Sequence, residues 1–449
     1  MTTPGTSPAR GFRTFVAVWL GQSISLLGSR VSRLALGVWL FQRTGEVTDF
    51  VLIALCDALP LLVLMPFTGV VADRYDQRKV MLLADSVAAL CTLVMVGLAL
   101  SGLLRPGWLY PAVLVSASAG ALQLPAWSAA MARMVPRAQV GRAVGMAQSS
   151  EGIAAIFAPS LAGGLVAATG LRGALLFDFA TFLVGSAVLL RVRFPYDAPS
   201  ERSPEARQGV AAFWRELSAG LSYVLARPAL VGLLMLSALV SMTVLAVEVL
   251  VPPMLLARNS PAVMGWVLSV SGAGAVCGSV AMSAWGGPPR KMDGMLGAGG
   301  VLGLMLVMAG GTSSPWVMAV AGWCAMCCVP FIWGCAHAVW QLEIPLDLQG
   351  RVIALRRMVG EAASLLGLLG AGPLTDVWLE PMMAPGGALA ASVGRLIGTG
   401  RGRGIGLLLL LLGLVLAAAM VWARSWRRLY RVEDEPLLAP MPAILEHEK

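Results

Sequence analysis

The chain has 449 residues, 57% of them hydrophobic and 13% charged, with a formal net charge of +9. Its mean hydropathy is +0.78. Repeated continuous apolar runs of about 20 residues exclude a soluble domain, and their lack of alternation excludes a β-barrel; what is left is a polytopic bundle of helices.

Twelve spans are expected, at 14–41, 49–71, 79–101, 109–133, 142–168 and 173–193, then 228–257, 262–284, 293–312, 316–342, 351–379 and 404–424. The polar start MTTPGTSPAR leads into the first run without the anatomy of a cleavable signal peptide. Spans 1 and 2 carry charges at depth, where each is costly unless paired or hydrated. Their turn centres on Gly45, with Arg33 12 residues before it and Asp57 12 after. Both therefore lie about 18 Å from the turn and match in depth. They read either as a fixed brace of the hairpin or as part of a polar cavity. In the second reading Arg30, one turn deeper, is left free for an anionic substrate.

Directly after span 2, GVVADRYDQRKVML (69–82) sets Asp73, Arg74, Asp76, Arg78 and Lys79 close together. Gly69 permits close helix approach, and Asp73 is placed to meet the positive end of a neighbouring helix. Arg74, Arg78 and Lys79 are placed to meet carboxylates or anionic lipid. An ordinary positive-inside connection explains the basic residues but not the acids.

After span 4 the chain reads PRAQVGR (136–142), and after span 10 it reads PLDLQGR (345–351), an offset of 209 residues. The same pattern at the same place in each half points to a duplicated six-helix unit. Beyond each copy a glutamate enters the membrane: Glu151 in span 5 and Glu361 in span 11, each about 14 Å in. With Asp57 they are the candidates for carrying a coupling proton; the alternative is neutral, hydrogen-bonded acids that pack helices. Gln148, one turn from Glu151, can serve it. Pro159 removes one backbone hydrogen bond, and the small Gly163 and Gly164 allow bending there.

Residues 191–227 turn polar, with 209–226 reading as a surface amphipathic helix. The expected organisation is a first half at 1–193, a linker at 194–227, a second half at 228–424 and a tail at 425–449. In the second half Glu248 and His337 are further candidates for the cavity. Asp178 and Asp376 read as caps or ion pairs near helix ends. Cys324, Cys327 and Cys328 lack metal-type neighbours and read as packing. No catalytic triad, zinc site or nucleotide-binding loop appears, and GTGRGRG (398–404) follows no strand. The long connection 380–406 reads as a lid with a short helix over 388–397, or as a tolerated insertion. With the N-terminus inside, inner segments carry 24 Lys and Arg against 7 outside, so the positive charge reflects topology and not nucleic-acid binding.

Gly69 to Lys79 resembles motif A of the major facilitator superfamily, and the likeness covers all twelve spans. It implies an all-α fold of two pseudo-symmetric six-helix halves. It also implies that Gly69, Asp73, Arg74, Arg78 and Lys79 latch the halves on the inner side when the outer side is open. Asp76 stands where many members have Gly. The second-half counterpart WGGPPRK (285–291) lacks the Asp, so the latch falls to the first copy. The stretches 21–36, 121–136 and 141–164 resemble the enterobactin-exporter and macrolide-efflux-like branch. Ala158-Pro159 with Gly163-Gly164 resembles a departed form of the span-5 antiporter motif. Segment 380–406 is similar to a loop of exporters encoded beside nonribosomal-peptide and polyketide pathways. The resemblance thus implies export of a small amphipathic molecule, a siderophore or another natural product, by proton antiport and alternating access; the alternative is drug or macrolide efflux. An enzyme or receptor would need a catalytic constellation or a ligand domain, and neither is visible. The implied partners are a small-molecule substrate, protons and the lipid bilayer, without nucleic acid or cofactor, in a monomer of the inner (plasma) membrane with both termini cytoplasmic.

Overall fold

A computed structural model describes residues 8–192, 209–430 and 433. The side chains of residues 68–74 lie outside the described residues, and Gly69, Asp73 and Arg74 with them. The helices run α1 (Pro8–Thr44), α2 (Val47–Arg74), α3 (Gln77–Leu100), α4 (Pro106–Met134), α5 (Val140–Arg191), α6 (Gly209–Leu225) and α7 (Pro228–Leu256). They continue as α8 (Pro261–Trp285), α9 (Lys291–Gly311), α10 (Pro315–Glu343), α11 (Leu346–Pro373), the short α12 (Glu380–Met383) and α13 (Val393–Ile397), α14 (Arg403–Ser425) and α15 (Arg427–Tyr430).

Ten of these helices are long and apolar enough to cross a membrane. One of them, α5, is a run of 52 residues that breaks at Gly170 (φ 68) and so holds two spans without a loop between them. The twelfth span is α11, whose Arg351, Arg356, Arg357 and Glu361 lower its apolarity. It continues through a π turn, Leu374–Leu379. Starts are marked by proline at the first helical turn of α4, α7, α8 and α10, where a missing N–H costs nothing.

Small residues let the helices close on one another. A side chain on Gly303 would run into the backbone at Gly413, and one on Gly278 into Cys327, so α9 lies against α14 and α8 against α10. The end of the bundle where α1 begins is here the N-terminal face, and the opposite end is the far face. The halves meet along α5 and α8 and along α2 and α11. Gly163 lies on the Pro261 carbonyl, Gly265 on the Pro159 carbonyl, and Gly372 on Thr48. Ser160 and Ser269 share a 2.7 Å hydrogen bond across the same seam. The backbone stays helical through Pro159, and the break falls at Gly170 instead; Gly164 has open space around it. Gly170 is thus the turn between spans 5 and 6, and Pro159 and Gly163 lie at the contact between halves.

The loop after span 2 also differs from expectation. Asp76 accepts from the Arg78 amide at 2.9 Å and caps α3. Arg78 donates to the Leu189 and Leu190 carbonyls at 2.8 and 2.7 Å, closing the C-terminus of α5. In the second half the acid missing from the counterpart loop arrives from the tail. Glu433 accepts from the Lys291 and Met292 amides at 3.1 and 2.9 Å and so caps α9. The long far-face connection forms a helix only over Val393–Ile397, shorter than 388–397. Arg258 fastens it through the Thr399 and Arg401 carbonyls, and the buried Arg403 through Ile397 and Thr312. Between 209 and 225 the linker is helical and packs Gly220 on the backbone of Arg351.

Candidate functional site

A cavity of about 720 Å³ opens inside the first half. Trp19, Leu61, Trp127 and Met131 give it an apolar wall; Ser, Gln, Arg, Asp and Glu side chains line the rest. All four spans of α1 to α4 and both spans of α5 contribute, because each places one polar stripe on the inside of an otherwise apolar helix.

Arg33 and Asp57 meet there as their matched depth predicts, Arg33 Nη1 lying 2.8 and 3.0 Å from the two carboxylate oxygens. The pair is 40% and 31% exposed, so it faces the cavity and is not sealed in a hairpin core. Arg30 is not left free. Its Nη2 donates to Glu151 Oε2 at 2.6 Å, joining span 1 to span 5. Glu151 is half exposed in this ion pair, which removes the burial on which its reading as proton carrier rested. Gln148 lines the same cavity. Glu248, on α7, is not among the residues that line this cavity. Glu361 is partly exposed and makes no ion pair with Arg357 one turn back. His337 shares a 3.1 Å hydrogen bond with Gln341.

Two acids of this site escaped the sequence reading or were misplaced by it. Asp85, 1% exposed, accepts from Gln22 at 3.2 Å and from Gln123 at 2.8 Å, and Gln123 also donates to Gln22 at 2.9 Å. A single Asp within an apolar run is the signal that marks it. Asp178 is not at a helix end. It sits within span 6, 2% exposed, accepting on Oδ2 from Ser32 at 2.7 Å and Thr92 at 3.2 Å. Asp376 is a cap as expected, but of a helix in the other half: it accepts from Val47 and Thr48 at the start of α2. A third omission is Arg356, counted with the connection before span 11 yet lying inside it. Its guanidinium stands 6.0 Å over the Trp333 ring, and its Nη1 has no acceptor.

The cavity wall thus sets four carboxyls, Asp57, Asp85, Glu151 and Asp178, against two arginines. Such a site can hold an amphipathic guest against its aromatic and Met side chains. It can also exchange ion-pair partners when a charge enters or leaves.

A profile of the Major Facilitator Superfamily matches residues 18–368. The chain is 26% identical over 360 residues to the macrolide efflux protein A of Streptococcus pyogenes, covering 79% of this chain and 87% of that protein. It is 27% identical over 352 residues to the multidrug efflux pump Tap of Mycolicibacterium fortuitum, covering 75% and 83%. Among solved structures, a bacterial homologue of the human lysosomal transporter Spinster, crystallised inward-facing and unoccupied, superposes with a TM-score of 0.69. It shares 16% identity, covers 95% of this chain and 99% of its own, and speaks for the fold alone.

Proposed function

The chain belongs to the Major Facilitator Superfamily and is a multi-pass membrane transporter, and from that premise we propose that it is a secondary exporter of a small amphipathic molecule driven by proton antiport. The observation that carries the reading is the cavity itself, which combines an aromatic wall with carboxyls in excess of arginines at the depth of the membrane. Siderophores and other peptide or polyketide products have the required mixture of ring surface and polar groups. A second reading, macrolide or multidrug efflux, is favoured by the efflux proteins that the chain resembles at low identity.

In this reading the N-terminal face is cytoplasmic, as the distribution of Lys and Arg indicates, and both termini lie there. The seams at Gly163–Pro261, Ser160–Ser269 and Asp376–Thr48 close the far, external side. Rocking the halves about these seams exposes the cavity to the other side. The turn at Gly69, Asp73, Arg74, Arg78 and Lys79 then latches the cytoplasmic face. Arg30, Arg33, Gln148, Glu248 and His337 offer polar contacts to the substrate, and a cavity carboxyl exchanges the proton.

The test is reconstitution of the full chain in vesicles loaded with a pH-sensitive dye. Addition of erythromycin, or of a catecholate siderophore, is expected to release protons as the compound moves against its gradient. Transport without proton movement would remove antiport, and failure to move either compound would remove both substrate readings.

A further inference from the structure

We propose that Asp178 is the site at which the coupling proton binds, an inference that rests on the proton-antiport reading above. The other acids of the cavity are already satisfied as ions. Glu151 is paired with Arg30 and Asp57 with Arg33. Asp85 has an amide donor on each oxygen. Asp178 differs: Oδ2 takes both hydroxyls, from Ser32 and Thr92, while Oδ1 is sealed from water and has no hydrogen-bond partner. As an ion it would leave one oxygen of a buried carboxylate with no donor, which is costly. A proton on Oδ1 removes that charge and leaves the two bonds to Oδ2 intact.

The seal is built by span 1. A side chain on Gly28 would overlap Thr181 Oγ1 and stand 3.1 Å from Asp178 Oδ1, so only glycine lets the helix press this close. The charged groups around the site make the proton consequential. Ser29, Arg30 and Arg33 on α1, Asp57 on α2, Asp85 on α3 and Glu151 in span 5 line the same cavity as Asp178. Asp57 on α2 and Glu151 in span 5 act on the same Arg33. Asp57 holds Arg33 here, and Asp178 stands on the same cavity wall as the second acid to which Arg33 can turn.

The step is balanced as follows. With the cavity open to the far side, a proton leaves external water and bonds to Oδ1, and the carboxyl becomes neutral. Arg33 then belongs to Asp57, a pairing that persists in this structure, where the far side has closed and the sealed Oδ1 has not yet met cavity water. With the cavity open to the N-terminal face, that proton passes to cavity water and the carboxylate draws on Arg33. The Arg33–Asp57 pair loosens, and the polar wall changes at the place where substrate is held.

The experiment has a readout that needs no substrate. Infrared difference spectra of the purified full chain, taken between acid and alkaline pH, report protonated carboxyls in an apolar setting. The wild type is expected to lose such a band as the pH rises. Asp178→Asn is expected to lack the band, and Glu151→Gln to keep it. In vesicles, the ratio of pH-driven accumulation to counterflow of erythromycin is expected to fall about tenfold per pH unit applied in Asp178→Asn, since one unit per proton is a tenfold factor. Should that variant fail to fold, Asp178→Glu decides: a shifted band supports the assignment and an unshifted one overturns it. A band that persists in Asp178→Asn, one absent from the wild type, or accumulation driven by a sodium gradient alone overturns it as well. If the wild type moves no erythromycin, the transport reading falls by itself and the spectra still decide Asp178.

Discussion

Asp376 and Thr48 tie the two halves of the bundle together at the far face: the Thr48 amide and hydroxyl both donate to Asp376 Oδ2 at 2.6 Å. The Val47 amide donates to Oδ1 at 3.0 Å. These amides are among the first of α2 and have no partner within their own helix, so a carboxylate is the acceptor they need. The acid comes from the π turn that follows α11, which makes this helix cap a joint between halves. Asp376→Ala removes a cap worth about 1–2 kcal/mol. It is expected to shift the population about fivefold or more toward the state open at the far face. Spin labels at Glu46 and Leu396, with distances read by double electron–electron resonance, report the shift. An unchanged distance distribution would show that the cap holds nothing shut.

Arg33 and Asp57 are expected to couple. Each is partly exposed to the cavity, so the coupling is set at about 1 kcal/mol and not at the larger value of a sealed pair. Arg33→Gln and Asp57→Asn should each lower the melting temperature of the purified protein more than the double variant does. Additive losses in the double-mutant cycle would mean that the 2.8 Å contact contributes nothing.

The motif after span 2 divides into two jobs. Arg78 holds the end of α5, so Arg78→Gln is expected to cost about 1.5–3 kcal/mol of stability, the range for hydrogen bonds to a charged group. Lys79 is exposed, and Lys79→Gln should melt with the wild type. Asp73→Asn, by contrast, is expected to express and melt normally while transport slows by at least about tenfold, as loss of a latch worth about 1.4 kcal/mol requires. Normal transport by Asp73→Asn would leave this turn a structural connection only.

Glu380, at the far face outside the spans, accepts from the Gly402 amide at 2.9 Å. Burial pushes its carboxyl above the usual range, and the amides of Gly402, Gly404 and Ile405 oppose this in part. A carboxyl raised in the folded state stabilises while protonated, and that contribution is lost as the pH rises through its folded value. Stability of the wild type should therefore decline from acid toward neutral pH more steeply than that of Glu380→Gln. Parallel melting curves across that interval would refute it.

Much of the architecture was legible because lipid imposes it. The apolar runs could be nothing but spans, and equal distances from Gly45 brought Arg33 to Asp57. What stayed hidden depends on rotation about the helix axis and on contacts far apart in sequence. Nothing in the local pattern says that Arg30 turns toward Glu151, 121 residues on, or that Asp376 reaches back 328 residues to Thr48. Asp178 looked like a helix end because Gly170 reads as a loop. The backbone instead turns there within one continuous run, which leaves Asp178 two turns inside. Arg356 was hidden by its neighbours, since three arginines in seven residues read as a connection before they read as a span.

The cap that Glu433 places on α9 has a bearing on how the chain is made. The Lys291 amide leaves the ribosome 142 residues ahead of the carboxylate that will satisfy it. Until Glu433 emerges, these two amides lack the acceptor that the folded chain gives them. This corner of the second half therefore reaches its final hydrogen bonding only after the segment that carries Glu433 has been synthesised. An affinity handle fused immediately after Tyr430 would therefore trade away a helix cap, whereas one added beyond Lys449 leaves the acid in reach of its partners.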